Sequence, residues 1–181
     1  MKVFTGVMAS CIGVFFAFLL QECLPALGLL HGGRFVLVPT IFCYAAMVLP
    51  FPAMLGLAFY TGLLTDLMYL HAVDGQVEIA LGWHIVFYVM FGIIAQGLQG
   101  AMMHGRWWPF VLLSALATSA LLFLELVMIC FRREGFVFDS VGLWRIFVPG
   151  FLAAIFAPVL YLGILPFTSL FPRHDAIPRE Y

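Results

Sequence analysis

From Phe35 to Thr65 the chain runs for 31 residues without a charged side chain. A helix needs only about 20 residues to cross the ~30 Å of hydrocarbon in a bilayer, so this run is too long for one ordinary span. Pro50-Phe51-Pro52 lies inside it. Proline removes a backbone donor and forces the residue before it out of the helical region. The run therefore divides into two spans, 35–49 and 53–70. The first is short and must stand nearly upright or re-enter the face it came from.

The rest of the sequence follows the same logic. Charged residues make up 9% of the 181, against roughly 25% in a soluble domain, and mean hydropathy is +1.12. So few charges cannot cover a water-facing surface, which excludes a soluble enzyme and a disordered chain. The net charge of -1 offers no basic field for nucleic acid. What remains is a single all-α integral membrane domain over 1–181, with membrane lipid as its main solvent.

Further spans are expected at 3–24, 79–103, 109–131 and 146–170, six in all. The apolar stretch after Lys2 is longer than the hydrophobic region of a signal peptide, about 7–15 residues. Glu22 before Cys23 argues against a lipoprotein cleavage box. The segment is read as a retained first span. Polar breaks separate the others: His31-Gly32-Gly33-Arg34, a 71–78 loop with Asp74-Gly75 as its turn, His104-Gly105-Arg106 ahead of the aromatic pair Trp107-Trp108, and a longest loop from Arg132 to Arg145. Pro149 falls near the start of the sixth span and Pro158 within it. Six spans place both termini on one face. Basic residues do not orient the bundle: Lys2, Arg106, Arg173 and Arg179 face Arg34, Arg132, Arg133 and Arg145.

Small and polar residues recur at helical spacing and locate the inward faces. Ala9, Gly13 and Ala17 form a small-residue stripe on the first span, a face for helix packing or a partner. Ala58, Gly62, Thr65 and Asp66 share a face of the third, and His84, Tyr88, Gly92, Gln96 and Gln99 of the fourth. Ser114, Ala117, Thr118, Leu121 and Glu125 do so on the fifth, and Gly150, Ala153, Ala154 and Ala157 on the sixth. Asp66 and Glu125 stand out, because a charge in the bilayer costs ~2.5–3.5 kcal/mol at its centre and usually carries function or an ion pair. Asp66 is expected to turn inward and accept hydrogen bonds from the start of the next span, at His84 or near Gly82. Glu125 could instead pair with Arg132 or Arg133. Most polar residues gather on the non-terminal side, so that end should be polar and the other a packed base.

No motif for catalysis appears. GxSxG and HExxH are absent, and the five histidines at 31, 71, 84, 104 and 174 lack metal-ligand spacing. Cys11, Cys23, Cys43 and Cys130 form no CxxC pair and read as small apolar fillers. The expectation is a chain with no catalytic residue, no metal and no cofactor.

Gly56-Leu57-Ala58-Phe59-Tyr60-Thr61-Gly62-Leu63-Leu64-Thr65-Asp66-Leu67 resembles the G-x-x-x-G-L-L-x-D-L segment of the rod shape-determining protein MreD family. Leu81-Gly82-Trp83-His84 is similar to the helix start that follows it there, and the Pro50-x-Pro52 break, the length and the six short spans also fit. The 69–80 loop is longer than that family's pattern, and the Arg132-Arg133-Glu134 loop also departs from it. The resemblance implies a non-enzymatic scaffold of the bacterial inner membrane with both termini in the cytoplasm. It implies work with MreC, a periplasmic coiled-coil protein, with the MreB filament, and near the peptidoglycan polymerase and its transpeptidase. It also implies a fold like the substrate-binding subunits of energy-coupling-factor vitamin transporters. Those subunits dock their partner through a small-residue stripe similar to Ala9, Gly13 and Ala17, so such a subunit is the alternative reading.

Overall fold

The computed structural model describes residues 2–24, 35–68, 72–73, 76–77, 82–103, 107–132 and 140–164. They form six helices: α1 (Lys2–Cys23), α2 (Val38–Val48), α3 (Phe51–Met68), α4 (Trp83–Met103), α5 (Trp108–Arg132) and α6 (Ser140–Ile164). Between α3 and α4, two-residue strands β1 (Ala72–Val73) and β2 (Gln76–Val77) pair antiparallel around the expected turn, whose Asp74 and Gly75 lie outside the described residues. Five helices are long and apolar enough to cross a membrane. The chain is a helical, multi-pass membrane protein.

The sixth helix, α2, is different. The sequence suggested a span over 35–49, but only 11 residues are helical, about 16 Å at 1.5 Å per residue. That is half the hydrocarbon thickness. Its ends explain the length. Pro39 sits in the first turn, where a missing N–H costs nothing. Leu49 precedes Pro50 and is extended, with φ -81° and ψ 150°, which stops the helix. Nearly every residue from Val38 to Met47 is buried. An apolar helix with no exposed face belongs in the middle of a bundle, and α2 packs on all five others.

Contacts fix the helix directions. Gly13 of α1 lies over Ile41 of α2, and Gln21 over Leu37, so these two run antiparallel. Phe42 meets Tyr88 at 4.8 Å between ring centroids and Gln96 reaches Ala46, so α2 and α4 run parallel. Gly62 faces Ile85 while Met54 faces Gly92, making α3 antiparallel to α4. Gly150 faces Ser119 while Tyr161 meets Phe110, making α6 antiparallel to α5. Direction alternates throughout, and the start of α1 and the end of α6 share one end.

Several expected boundaries move. α3 begins at Phe51 rather than 53, since Pro52 fits a first turn. α4 begins at Trp83 rather than 79, because Gly82 has φ +97°, a left-handed conformation outside the helix. α5 is one residue longer at each end than 109–131. The largest correction is α6, which starts at Ser140 rather than 146 and takes up residues read as loop. Pro149 is therefore well inside that helix, as is Pro158. Prolines are tolerated there because neighbouring groups re-satisfy the freed carbonyls. Residues 165–170 lie outside the described part.

The bundle has two close helix pairs. A Cβ on Gly62 would stand 2.5 Å from the Ile85 Cα, so α3 and α4 touch backbone to backbone. A Cβ on Gly150 would collide with the Ser119 side chain and stand 3.2 Å from the Ala115 carbonyl oxygen, so α6 also lies close on α5. Lipid tails are as apolar as leucine, so van der Waals contact and hydrogen bonds, more than hydrophobic burial, hold such pairs. Ser10, Thr65, Ser114 and Thr118 satisfy their hydroxyls on the carbonyl four residues back, at 2.7–2.8 Å. Exposed Phe4, Phe16, Val86, Phe147 and Phe151 form part of the lipid-facing side. Trp107 and Trp108, both exposed, mark the boundary at the terminal end.

Candidate functional site: a histidine between two carboxylates

At the end opposite the termini, α3, α4 and α5 bring three ionisable side chains together. Asp66 is in the last turn of α3, on the line Ala58, Thr61, Gly62, Thr65 that faces α4. His84 is the second residue of α4, and Glu125 lies about two turns from the end of α5. His84 Nδ1 is 2.6 Å from Asp66 Oδ1, and Nε2 is 3.0 Å from Glu125 Oε1. The Gly82 N–H donates to the second carboxylate oxygen, Asp66 Oδ2, at 2.7 Å. The left-handed Gly82 conformation belongs to the turn that presents this N–H, one of the unsatisfied donors at a helix start, to the carboxylate. The side chains of His84 and Asp66 are 1% and 2% exposed, and that of Glu125 is 22% exposed. The site is closed on α3 and α4 and has an opening at Glu125.

Both ring nitrogens of His84 thus face carboxylate oxygens. A neutral imidazole carries one N–H and one lone pair. With both acids ionised, its lone pair would point at a carboxylate, so this geometry requires one more proton. It fits an imidazolium that donates to both sides.

A second polar contact sits lower in the bundle. Gln96 Nε2 donates to the carbonyls of Ala46 and Leu49, at 2.6 and 2.7 Å. Ala46 lies in the last turn of α2, where carbonyls lack an intrahelical partner, and Leu49 is the extended residue just after it. Gln96 thereby caps a helix that ends inside the bundle. At the other end of α2, Gln21 Oε1 accepts the Leu37 N–H at 3.1 Å. Gln99, expected beside Gln96, is half-buried and has no hydrogen-bond partner among the described residues.

The structure therefore unites Asp66, His84 and Glu125, keeps Gln96 apart as a cap, and leaves Gln99 outside both. The expected donors to Asp66, His84 and the Gly82 backbone, are the ones present. Glu125 bonds His84; Arg133 and the Arg132 side chain lie outside the described residues. Of the small residues, Gly62 is buried on α4 and Ala17 is buried in the bundle, while Ala9 and Gly13 are half-buried. The inward line of α1 runs through Gly6, Ser10, Val14 and Phe18, one position from the stripe. Gly13 needs no close approach, since a Cβ there would meet Ile41 at an ordinary 3.8 Å. Sequence reading did not anticipate the caps by Gln21 and Gln96. Their only signal was a glutamine in an apolar helix. Among the described residues no three His, Cys, Asp or Glu side chains are arranged to hold a metal ion.

Comparison with family models, with curated proteins and with solved structures finds no match for the chain.

Proposed function

We propose that this protein is a membrane scaffold of the bacterial cell-elongation machinery, of the MreD kind. In this reading it binds an MreC-like coiled-coil partner and supports lateral peptidoglycan synthesis, near the polymerase–transpeptidase pair and the MreB filament. It performs no chemistry of its own. It sits in the inner membrane with both termini in the cytoplasm, so the end carrying Asp66, His84 and Glu125 is periplasmic. The fold of vitamin-transporter substrate-binding subunits belongs to the same proposal.

One observation carries the reading. The two segments on which the family resemblance rests, 56–67 and 81–84, are joined through Asp66, which receives Gly82 N–H and faces His84 Nδ1. Gly62, the second glycine of the first segment, lies against the Ile85 backbone of α4. The motif residues thus act as one unit, each needing the others, as expected of a family signature rather than a chance apolar string.

Depletion in a rod-shaped host tests the proposal. Cells should round and lose lateral wall synthesis, and the tagged protein should co-purify with a coiled-coil periplasmic protein. Reporter fusions after residue 181 and within 134–139 should report cytoplasm and periplasm respectively. Normal rod growth on depletion would overturn the reading. A purified chain carrying a bound vitamin would point instead to the transporter subunit.

A further inference from the structure

We infer that the Asp66–His84–Glu125 triad binds a single proton, and that this proton latches the α5–α6 pair against the α3–α4 pair. The inference does not depend on the cellular role proposed above.

The bundle is built from two tight units. α3 lies on α4 through Gly62 and Ile85, and α6 on α5 through Gly150 and Ser119. Between the units, α4 and α5 touch much less than the members of either pair. The short α2 bridges them, with Phe42 on Tyr88 and Tyr44 on Phe110. Toward the non-terminal end, a polar contact across the seam among the described residues is His84 Nε2 to Glu125 Oε1 at 3.0 Å. Asp66 and His84 belong to one unit and Glu125 to the other.

The proton balance makes that contact conditional. With the proton present, His84 donates Nδ1–H to Asp66 and Nε2–H to Glu125, and every polar atom facing the ring is satisfied. Without it, one ring nitrogen keeps a lone pair. The Asp66 side is fixed, because Gly82 N–H holds the carboxylate at 2.7 Å and the helices touch at Gly62. The remaining N–H stays with Asp66, and Nε2 then presents a lone pair to the Glu125 carboxylate. Attraction across the seam becomes repulsion between two acceptors. Glu125 is the partly exposed member, so the proton enters and leaves from that side. Among the described residues, the other titratable groups toward this end are Glu22 and Cys23 closing α1, Tyr60 on α3, Tyr88 on α4 and Cys130 on α5; the Arg132 side chain of α5 lies outside them. α2 brings Cys43 and Tyr44 lower down, and the Arg145 side chain of α6 lies outside the described residues.

Two spin labels read the latch in the full chain in lipid nanodiscs. Val86→Cys on α4 and Phe147→Cys on α6 are exposed sites, one on each unit. Cys11→Ala, Cys23→Ala, Cys43→Ala and Cys130→Ala remove the native thiols. Between about pH 5 and about pH 10 a longer-distance population should appear in one step, its open-to-closed ratio rising about tenfold per pH unit, as one linked proton requires. Glu125→Gln can accept from an N–H or donate to a lone pair, so its distance should not change with pH. A constant distance in the parent chain, or a Glu125→Gln chain that opens as the parent does, overturns the latch. Should Glu125→Gln fail to fold, histidine 15N resonances of the otherwise unsubstituted chain decide. His84 should convert from imidazolium to neutral ring at the pH of opening; a ring neutral throughout overturns the proposal.

Discussion

Gly62→Ala offers the sharpest test of the packing. The added Cβ would stand 2.5 and 2.6 Å from the Cα and N of Ile85. Carbon atoms rest at about 3.5–4.0 Å, so the helices must separate by about 1 Å. The obstacle is backbone, and no side-chain rotation relieves it. Overpacking of this kind costs about 1–3 kcal/mol. The displacement also reaches the site one turn away. Moving α4 by about 1 Å takes the 2.6 Å His84–Asp66 and 2.7 Å Gly82–Asp66 contacts beyond hydrogen-bond range, and a bond to a charged group is worth about 1.5–3 kcal/mol. A total loss of about 3 kcal/mol or more is expected. Unfolding in mixed micelles with increasing denaturing detergent measures it. Gly56→Ala and Gly13→Ala are the controls: a Cβ at Gly56 meets nothing within 4 Å and one at Gly13 meets only Ile41 at 3.8 Å. Neither should lose stability, and each should gain about 0.4–1 kcal/mol, because alanine favours a helix over glycine where the methyl has room. If Gly62→Ala unfolds with the controls, α3 and α4 do not meet at Gly62 and the reasoning fails.

Asp66→Leu leaves the Gly82 N–H and the His84 ring without their acceptor. It should cost about 3–5 kcal/mol, the range for breaking a buried charge pair, and lower membrane abundance on immunoblots. Asp66→Asn keeps an acceptor oxygen and should accumulate better; equal abundance of the two would show that the carboxylate is not buried as described. Gln96→Leu strips the cap from α2 and orphans two carbonyls, for a loss of about 1–3 kcal/mol per group. Gln99→Leu, by contrast, should be near neutral in the same unfolding assay. Thr40 and Thr61 carry buried hydroxyls with no partner among the described residues. Thr40→Val and Thr61→Val should be neutral or raise the melting temperature in detergent, and marked destabilisation would reveal a hidden partner.

The sequence alone determined that this is a membrane bundle. Sparse charge, apolar blocks and Pro or Gly breaks all depend on local composition, which lipid reads residue by residue. It also determined that Asp66 turns inward, since the 3.6-residue period places it in line with Ala58, Gly62 and Thr65. The Asp66–His84 contact was legible because the two helices are consecutive in the chain and must lie antiparallel. Boundaries were less legible at α6, where Ser140 to Arg145 are mildly polar yet helical, because a turn of helix beyond the hydrocarbon carries no hydropathy signal. Tertiary structure decided the rest. Glu125 stands 41 residues beyond His84 and Gln96 stands 50 beyond Ala46. No local pattern relates residues so far apart; which helices become neighbours depends on how all the faces fit together. That fit placed the half-length α2 in the centre, gave Gln96 its carbonyls, and set the second nitrogen of His84 against a carboxylate from another pair of helices.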